Sequence, residues 1–240
     1  MEEIPKLATD YWLLYLRAMI GRSEIARMID HTLLAAGATR DEIGRLCAEA
    51  VEHGFGAVCV NGVWVAEAAR ALDGSGVRVG AVAGFPLGAS ATAVKRFEAE
   101  RAIEDGAVEV DMVLDLGALA SGDDVRARND VRAVAETVHA RGGLLKVIIE
   151  TGLLDEDQKV RACLVSVEAG ADFVKTSTGF GPGGATVADV ELMRRTVGPR
   201  VGIKASGGIR SFEDAVALVA AGATRLGTSR GVAIVGDSRG

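Results

Sequence analysis

Eight times from near residue 28 onward, a short run rich in β-branched residues gives way to an alanine-rich stretch of helical period, and few folds accept that alternation. The strand runs are Met28–His31, Ala57–Val60, Val77–Ala83, Val108–Val113, Leu144–Ile149, Asp172–Thr176, Val201–Ala205 and Arg225–Gly227. Helices are expected between and after them, near 39–53, 64–73, 91–105, 123–141, 155–169, 186–197, 211–221 and 229–236. Several open on good caps: Thr39 before Asp41 and Glu42, Asp155 before Glu156, and Ser211 before Glu213. Several close on glycine, at Gly54, Gly106, Gly142, Gly170 and Gly222.

Eight strand–helix units in 240 residues fit an α/β chain folded as a (β/α)8 TIM barrel. An open doubly wound sheet allows the same alternation. Two features favour closure. No GxGxxG fingerprint follows the first strand, and the unusual polar residues fall at the C-terminal halves of many strands rather than at one switch point. The expected organisation is a short N-terminal helical extension over 1–27, including an amphipathic helix at 7–20, and a catalytic barrel over 28–240.

The apolar patch Tyr11 to Leu16 follows Glu2 and Glu3 and is broken by Arg17, which suits neither a signal peptide nor a membrane span. A net charge of -6 without any basic run argues against nucleic acid. Cys47, Cys59 and Cys163 form no CxxC and leave an odd count, as expected of a reducing cytoplasm. The three histidines, His31, His53 and His139, have no metal-ligand spacing, so no metal site is expected.

Lysine usage carries the chemistry. Of 27 basic residues only six are lysine, and three of those, Lys146, Lys175 and Lys204, sit inside apolar strand runs. Arginine stays charged in proteins, whereas a desolvated or cation-crowded lysine can lose its proton and attack carbonyl carbon. The period-2 rule puts Phe173, Lys175 and Ser177 on one strand face. Lys204 holds the equivalent position on the next strand, so the two amines should lie within a few ångströms. Making half of a lysine population neutral at pH 7 needs a shift of roughly three units, or about 4 kcal/mol. One like charge at ~4 Å and an effective dielectric near 20 supplies about that much. The pair thus suffices for Schiff-base chemistry without a cofactor.

Asp111, inward beside Glu109 in Val108-Glu109-Val110-Asp111-Met112-Val113, is the expected proton-moving acid, and it would also neutralise Lys146 or Lys204. Asp30, which would end the first strand, is read as either catalytic or structural. Lys146 and Cys59 are supporting residues, Cys59 as a small core residue near the cavity. Thr178 and Gly179, in the small polar run after Lys175, are expected to meet substrate. Two glycine-rich turns remain: Ser206-Gly207-Gly208-Ile209-Arg210, opening the helix at 211, and Gly227-Thr228-Ser229-Arg230-Gly231, opening the last one. Backbone N–H groups at helix N-termini make anion sites, and barrels often bind phosphate after strands 7 and 8.

These motifs come together in one resemblance. Asp30-His31-Thr32, Val58-Cys59-Val60-Asn61, Gly84-Phe85-Pro86-Leu87-Gly88, Glu109-Val110-Asp111-Met112-Val113, Leu145-Lys146-Val147-Ile148-Ile149-Glu150-Thr151, Lys175-Thr176-Ser177-Thr178-Gly179-Phe180 and Lys204-Ala205-Ser206-Gly207-Gly208-Ile209-Arg210 run in the family's order. Over about residues 28–236 the chain resembles the deoxyribose-phosphate aldolase family. The resemblance implies a cofactor-free class I aldolase, a cytoplasmic carbon–carbon lyase of deoxyribonucleotide catabolism. It would cleave 2-deoxy-D-ribose 5-phosphate reversibly to D-glyceraldehyde 3-phosphate and acetaldehyde. Lys175 would then form the Schiff base, Lys204 and Asp111 would move protons, and Gly207, Gly208, Gly227 and Ser229 would hold phosphate. Arg230 departs from the pattern, since many relatives carry a second serine there. The implied partners are a phosphorylated sugar and an aldehyde, with no nucleic acid and no membrane, and with a homo-oligomer left open. Two rivals stand beside this reading: another Schiff-base barrel lyase acting on a different sugar phosphate, and a silent sugar-phosphate-binding barrel, which would need no paired lysines.

Overall fold

The computed structural model of the chain describes residues 20–236, and the strand–helix alternation closes into a barrel. A first helix, α1 (Arg22–Met28), leads into β1 (Ile29–Leu33). Then follow α2 (Arg40–His53), β2 (Ala57–Val60), α3 (Val65–Ala71), β3 (Arg78–Ala83), α4 (Thr92–Glu104) and β4 (Glu109–Val113). The second half runs α5 (Leu116–Ala120), α6 (Asp124–His139), β5 (Leu144–Ile148), α7 (Glu156–Glu168), β6 (Phe173–Lys175), α8 (Val187–Val197), β7 (Gly202–Ser206), α9 (Phe212–Ala220), β8 (Arg225–Thr228) and α10 (Gly231–Val235). The eight strands are all parallel, each paired with its sequence neighbours, and β8 pairs with β1. The open sheet is thereby excluded. No helix among the described residues is long and apolar enough to cross a membrane.

The helices begin where the sequence puts side-chain oxygens. Thr39, Asp155 and Ser211 each accept from the backbone N–H three residues on, while Glu42, Gln158 and Asp214 return the bond in capping boxes. The expected helix at 7–20 lies, but for Ile20, outside the described residues. Helix α1, at the end of the expected extension, packs on the barrel's last helices. Arg22 donates to the carbonyls of Ile234 and Gly236 at 2.9 and 2.8 Å, and its guanidinium lies 4.8 Å from the centre of the Phe212 ring.

Strand alternation splits the core into two chemistries. Val58, Val60, Ala81, Val110, Met112, Leu145, Val147, Val174, Ile203, Ala205 and Leu226 are buried apolar residues of the layer between strands and helices. The alternate positions supply the barrel interior, and there Asp30, Glu109, Asp111, Lys146, Lys175, Lys204 and Arg225 are all buried. Such interiors are usually filled by branched apolar side chains. This one is filled by charge, which is stable only if the members pair with one another.

Candidate active site

Register brings the charged residues to matching heights. Asp111 lies level with Lys146 across β4–β5, Lys175 with Lys204 across β6–β7, and Lys204 with Arg225 across β7–β8. Asp111 is the hub. Its Oδ1 accepts from Lys146 at 2.8 Å, and its Oδ2 accepts from both Lys175 at 2.8 Å and Lys204 at 2.7 Å. Lys204 also donates to Oδ2 of Asp30 at 2.5 Å, and Lys146 lies 2.6 Å from Oε2 of Glu109. Arg225 donates to Asp30 at 2.5 Å and to both oxygens of Glu109 at 3.2 and 3.1 Å.

The electrostatics separate the three lysines. For Lys175, burial is the largest influence and pushes the amine below its ordinary value. Asp111 opposes that, and the Lys204 charge adds to it. Burial acts on Lys204 in the same way, but Asp111 and Asp30 outweigh it and hold the amine well above the ordinary lysine range. Lys146 is likewise raised: Asp111, Asp30 and Glu109 overcome its burial and the repulsion of Lys204. Burial also pushes the carboxyls of Asp111 and Asp30 up, yet the surrounding cations win and both end below the ordinary carboxylate range. The mechanism anticipated from sequence is therefore corrected in its order of causes. Lys175 is depressed first by burial, and the charge of Lys204 adds to that as a lesser influence.

Lys175 is the member of this cluster that opens onto a cavity of about 530 Å³ at the C-terminal end of the barrel. The walls are Thr32–Ala35 at the end of β1 and beyond, Thr178–Phe180 after β6, Ser206–Arg210 from the last residue of β7 onward and Gly227–Arg230 from the end of β8 onward. All the residues expected to meet substrate, Thr178, Gly179, Gly207, Gly208, Gly227, Ser229 and Arg230, line it. Asp30, Lys146 and Cys59 lie beneath, in the barrel interior. Asp30 stands second in β1 rather than at its end, low enough to reach Arg225. The Cys59 thiol is buried and pushed up by that burial, so it stays a neutral side chain.

The two glycine turns differ in one respect from expectation. Gly207 and Gly208 both take positive φ, 85° and 78°, which an L side chain rarely adopts, and they form a tight turn on the cavity wall. The turn does not open α9 directly. Ser211 caps that helix, and Oδ2 of Asp214 takes the N–H groups of Arg210 and Ser211 at 2.9 and 3.0 Å. The donors that remain for an anion belong to the turns themselves rather than to the helix end. Thr228 ties the two turns together, donating to the Ile209 carbonyl at 3.2 Å while accepting from Arg230 N–H at 3.0 Å.

Sequence reasoning missed two members of the site. Arg225 was read only as a strand start, although its period-2 partner Gly227 already lay on a predicted wall. Glu150 went unassigned. It takes φ 51°, rare for a non-glycine residue, and its buried carboxylate holds the wall loop by accepting from Thr178 N–H at 3.2 Å and Thr178 Oγ1 at 2.5 Å. No group of three or more His, Cys, Asp or Glu among the described residues is arranged to hold a metal ion.

A closed parallel barrel with a buried lysine opening onto a cavity at the C-terminal ends of its strands is the arrangement of a barrel aldolase. The chain belongs to the DeoC/LacD family of aldolases, whose model matches residues 25–236. It is 57% identical over 213 residues to the deoxyribose-phosphate aldolase of Geobacillus sp., an alignment covering 89% of this chain and 95% of that one. It is 53% identical over 223 residues to the enzyme of the same name from Thermococcus gammatolerans, covering 92% and 99%. Among solved structures, the tetrameric deoxyribose phosphate aldolase of Aeropyrum pernix matches with a TM-score of 0.86 at 34% identity, over 93% of this chain and 95% of that one.

Proposed function

We propose that the chain is a class I deoxyribose-phosphate aldolase that cleaves 2-deoxy-D-ribose 5-phosphate to D-glyceraldehyde 3-phosphate and acetaldehyde and runs the reverse condensation. The observation that carries the reading is Lys175, the lysine held below its ordinary pKa, opening onto the cavity that the pair of tied glycine turns also lines. Similarity to relatives named for this activity supports the choice of substrate.

In this mechanism the neutral amine of Lys175 attacks the C1 aldehyde carbon of the open-chain sugar. The carbinolamine loses water to give an iminium, which draws in the electron pair of the C2–C3 bond as it breaks. The C3 hydroxyl gives up its proton, and D-glyceraldehyde 3-phosphate leaves. The remaining enamine is protonated at carbon, and hydrolysis of the iminium frees acetaldehyde and Lys175. Asp111 is suited to carry these protons, directly or through water, because its Oδ2 already accepts from both Lys175 and Lys204. Lys204, firmly protonated, takes part by steadying the Asp111 carboxylate as it accepts and returns protons. The phosphate would be held by Gly207, Gly208, Gly227 and Ser229, with Arg230 adding charge.

No metal or cofactor enters this reading, and the enzyme is taken to act in the cytoplasm as a homo-oligomer. Turnover of 2-deoxy-D-ribose 5-phosphate, followed by the appearance of D-glyceraldehyde 3-phosphate, tests it. Cleavage of that substrate is expected. Its absence, beside cleavage of another sugar phosphate, would transfer the chain to the rival lyase.

A further inference from the structure

The barrel interior holds unequal numbers of charges. Lys146, Lys175, Lys204 and Arg225 face three carboxylates, Asp30, Glu109 and Asp111, and all seven side chains are buried. Arg78 adds a fifth cation from the half-exposed rim, 3.3 Å from Glu109. An uncompensated charge in so closed a space is costly, so one cation is under pressure to become neutral. Arginine does not lose its proton in proteins, which leaves the lysines. Lys146 is bound by Asp111 and Glu109, and Lys204 by Asp30 and Asp111. Lys175 has only its share of Asp111.

We propose that Arg225 is a positioning residue for the reaction: as the one interior cation that cannot give up a proton, it makes the cations outnumber the carboxylates, and the excess is relieved at the cavity-facing amine, Lys175. The inference rests on the assignment of Lys175 as the nucleophile. The groups around Lys175 are Asp111 on β4, Cys59 on β2 and Lys204 on β7. Those around Arg225 are Asp30 on β1, Glu109 on β4 and the Phe173 ring on β6, 5.7 Å away. Arg225 thus touches neither Lys175 nor the cavity wall and acts through the carboxylates it holds.

The test is the pH dependence of borohydride trapping with acetaldehyde in Arg225→Met, Arg225→Gln and Arg225→Lys. Both neutral replacements bring the buried cations down to three against three buried carboxylates, so Lys175 should keep its proton to higher pH. Removing one charge two strands away, about 10 Å at an effective dielectric near 20, moves the midpoint up by on the order of one pH unit. Trapping on the acid side should therefore slow about tenfold. Arg225→Lys restores the charge and should restore the midpoint. A purely structural residue would change the amount of active enzyme and leave the midpoint unmoved, and that outcome overturns the inference. An adduct on a lysine other than Lys175 would instead overturn the assignment on which it rests. A second measurement needs no variant. Nitrogen-15 spectra of lysine side chains in the unmodified enzyme near neutral pH should show a larger neutral fraction for Lys175 than for Lys146 and Lys204, both fully charged. Three equally charged amines would contradict the proposal.

Discussion

Lys175 and Lys204 donate to one and the same oxygen, Oδ2 of Asp111, at 2.8 and 2.7 Å. Two cations on a single oxygen are unequal here, because Lys204 has Asp30 as well while Lys175 depends on Asp111 alone. In the proposed mechanism this inequality would divide the labour: Lys204 keeps its proton, and Lys175 is the amine freed to attack.

Replacing Lys204 by methionine should expose both functions. The proton path through Asp111 loses a member, for which a fall in kcat of about 10²–10⁴-fold is expected. With one interior cation fewer, Lys175 should also hold its proton to higher pH, moving the acid limb of kcat/KM upward. A large loss in kcat with an unmoved limb would limit Lys204 to proton transfer.

Asp30 and Asp111 are both held below the ordinary carboxyl value of 3.8. A carboxyl lowered in the fold contributes stability that is complete above its unfolded value and is lost as pH falls through the folded one. Their contribution should be constant from neutrality to about pH 5 and decline below about pH 4. Lys175 is lowered too, so the unfolded chain binds its proton more readily, and its own contribution rises with pH toward 10.5. Urea midpoints at pH 3, 5, 7 and 9 check both signs. A midpoint at pH 3 equal to that at pH 5 would show that the interior pairs add nothing.

The strands were legible because parallel strands buried on both faces read as apolar β-branched runs. Each expected strand came within two residues of its observed ends, and the caps at Thr39, Asp155 and Ser211 were plain in the sequence. Pairings between distant residues were not. Lys95 lies in α4 between Val94 and Arg96 and is fully buried, donating to Asp130 at 2.6 Å and to the Val113 carbonyl at 3.0 Å, which nothing local in the sequence announces. Arg225 is easily overlooked because this chain uses arginine mostly on its surface; its period-2 relation to Gly227 is the one sequence sign that it points inward, and the closed register bears that sign out. The short α5 has five residues, one of them glycine, too few to impose a period. Lysine on a strand was the readable sign, since burying it is expensive wherever it occurs.

Glu150 fixes the wall loop through Thr178, and that loop carries Phe180 edge-on against Phe85 with centroids 5.4 Å apart. Thr178→Val removes one donor from a buried carboxylate, costing about 1–3 kcal/mol. A lower Tm and a raised KM should follow together, and Thr178→Ser should recover both. An unchanged KM would detach the loop from substrate binding.

Arg230 lines the cavity beside Ser229 but is exposed, so solvent screens its charge. Arg230→Ser should raise KM for the phosphorylated sugar by about tenfold at most, leaving activity on unphosphorylated deoxyribose nearly unchanged. Equal losses on both substrates would make Arg230 structural and confine the phosphate to the backbone turns.

The proposed role of Lys175 as carrier of the covalent intermediate is open to direct test by reductive trapping. The enzyme is reduced with borohydride in the presence of acetaldehyde, digested, and mapped by mass spectrometry. A single ethyl adduct is expected, on the peptide containing Lys175. An adduct on Lys146 or Lys204 instead, or none on any lysine, would contradict it.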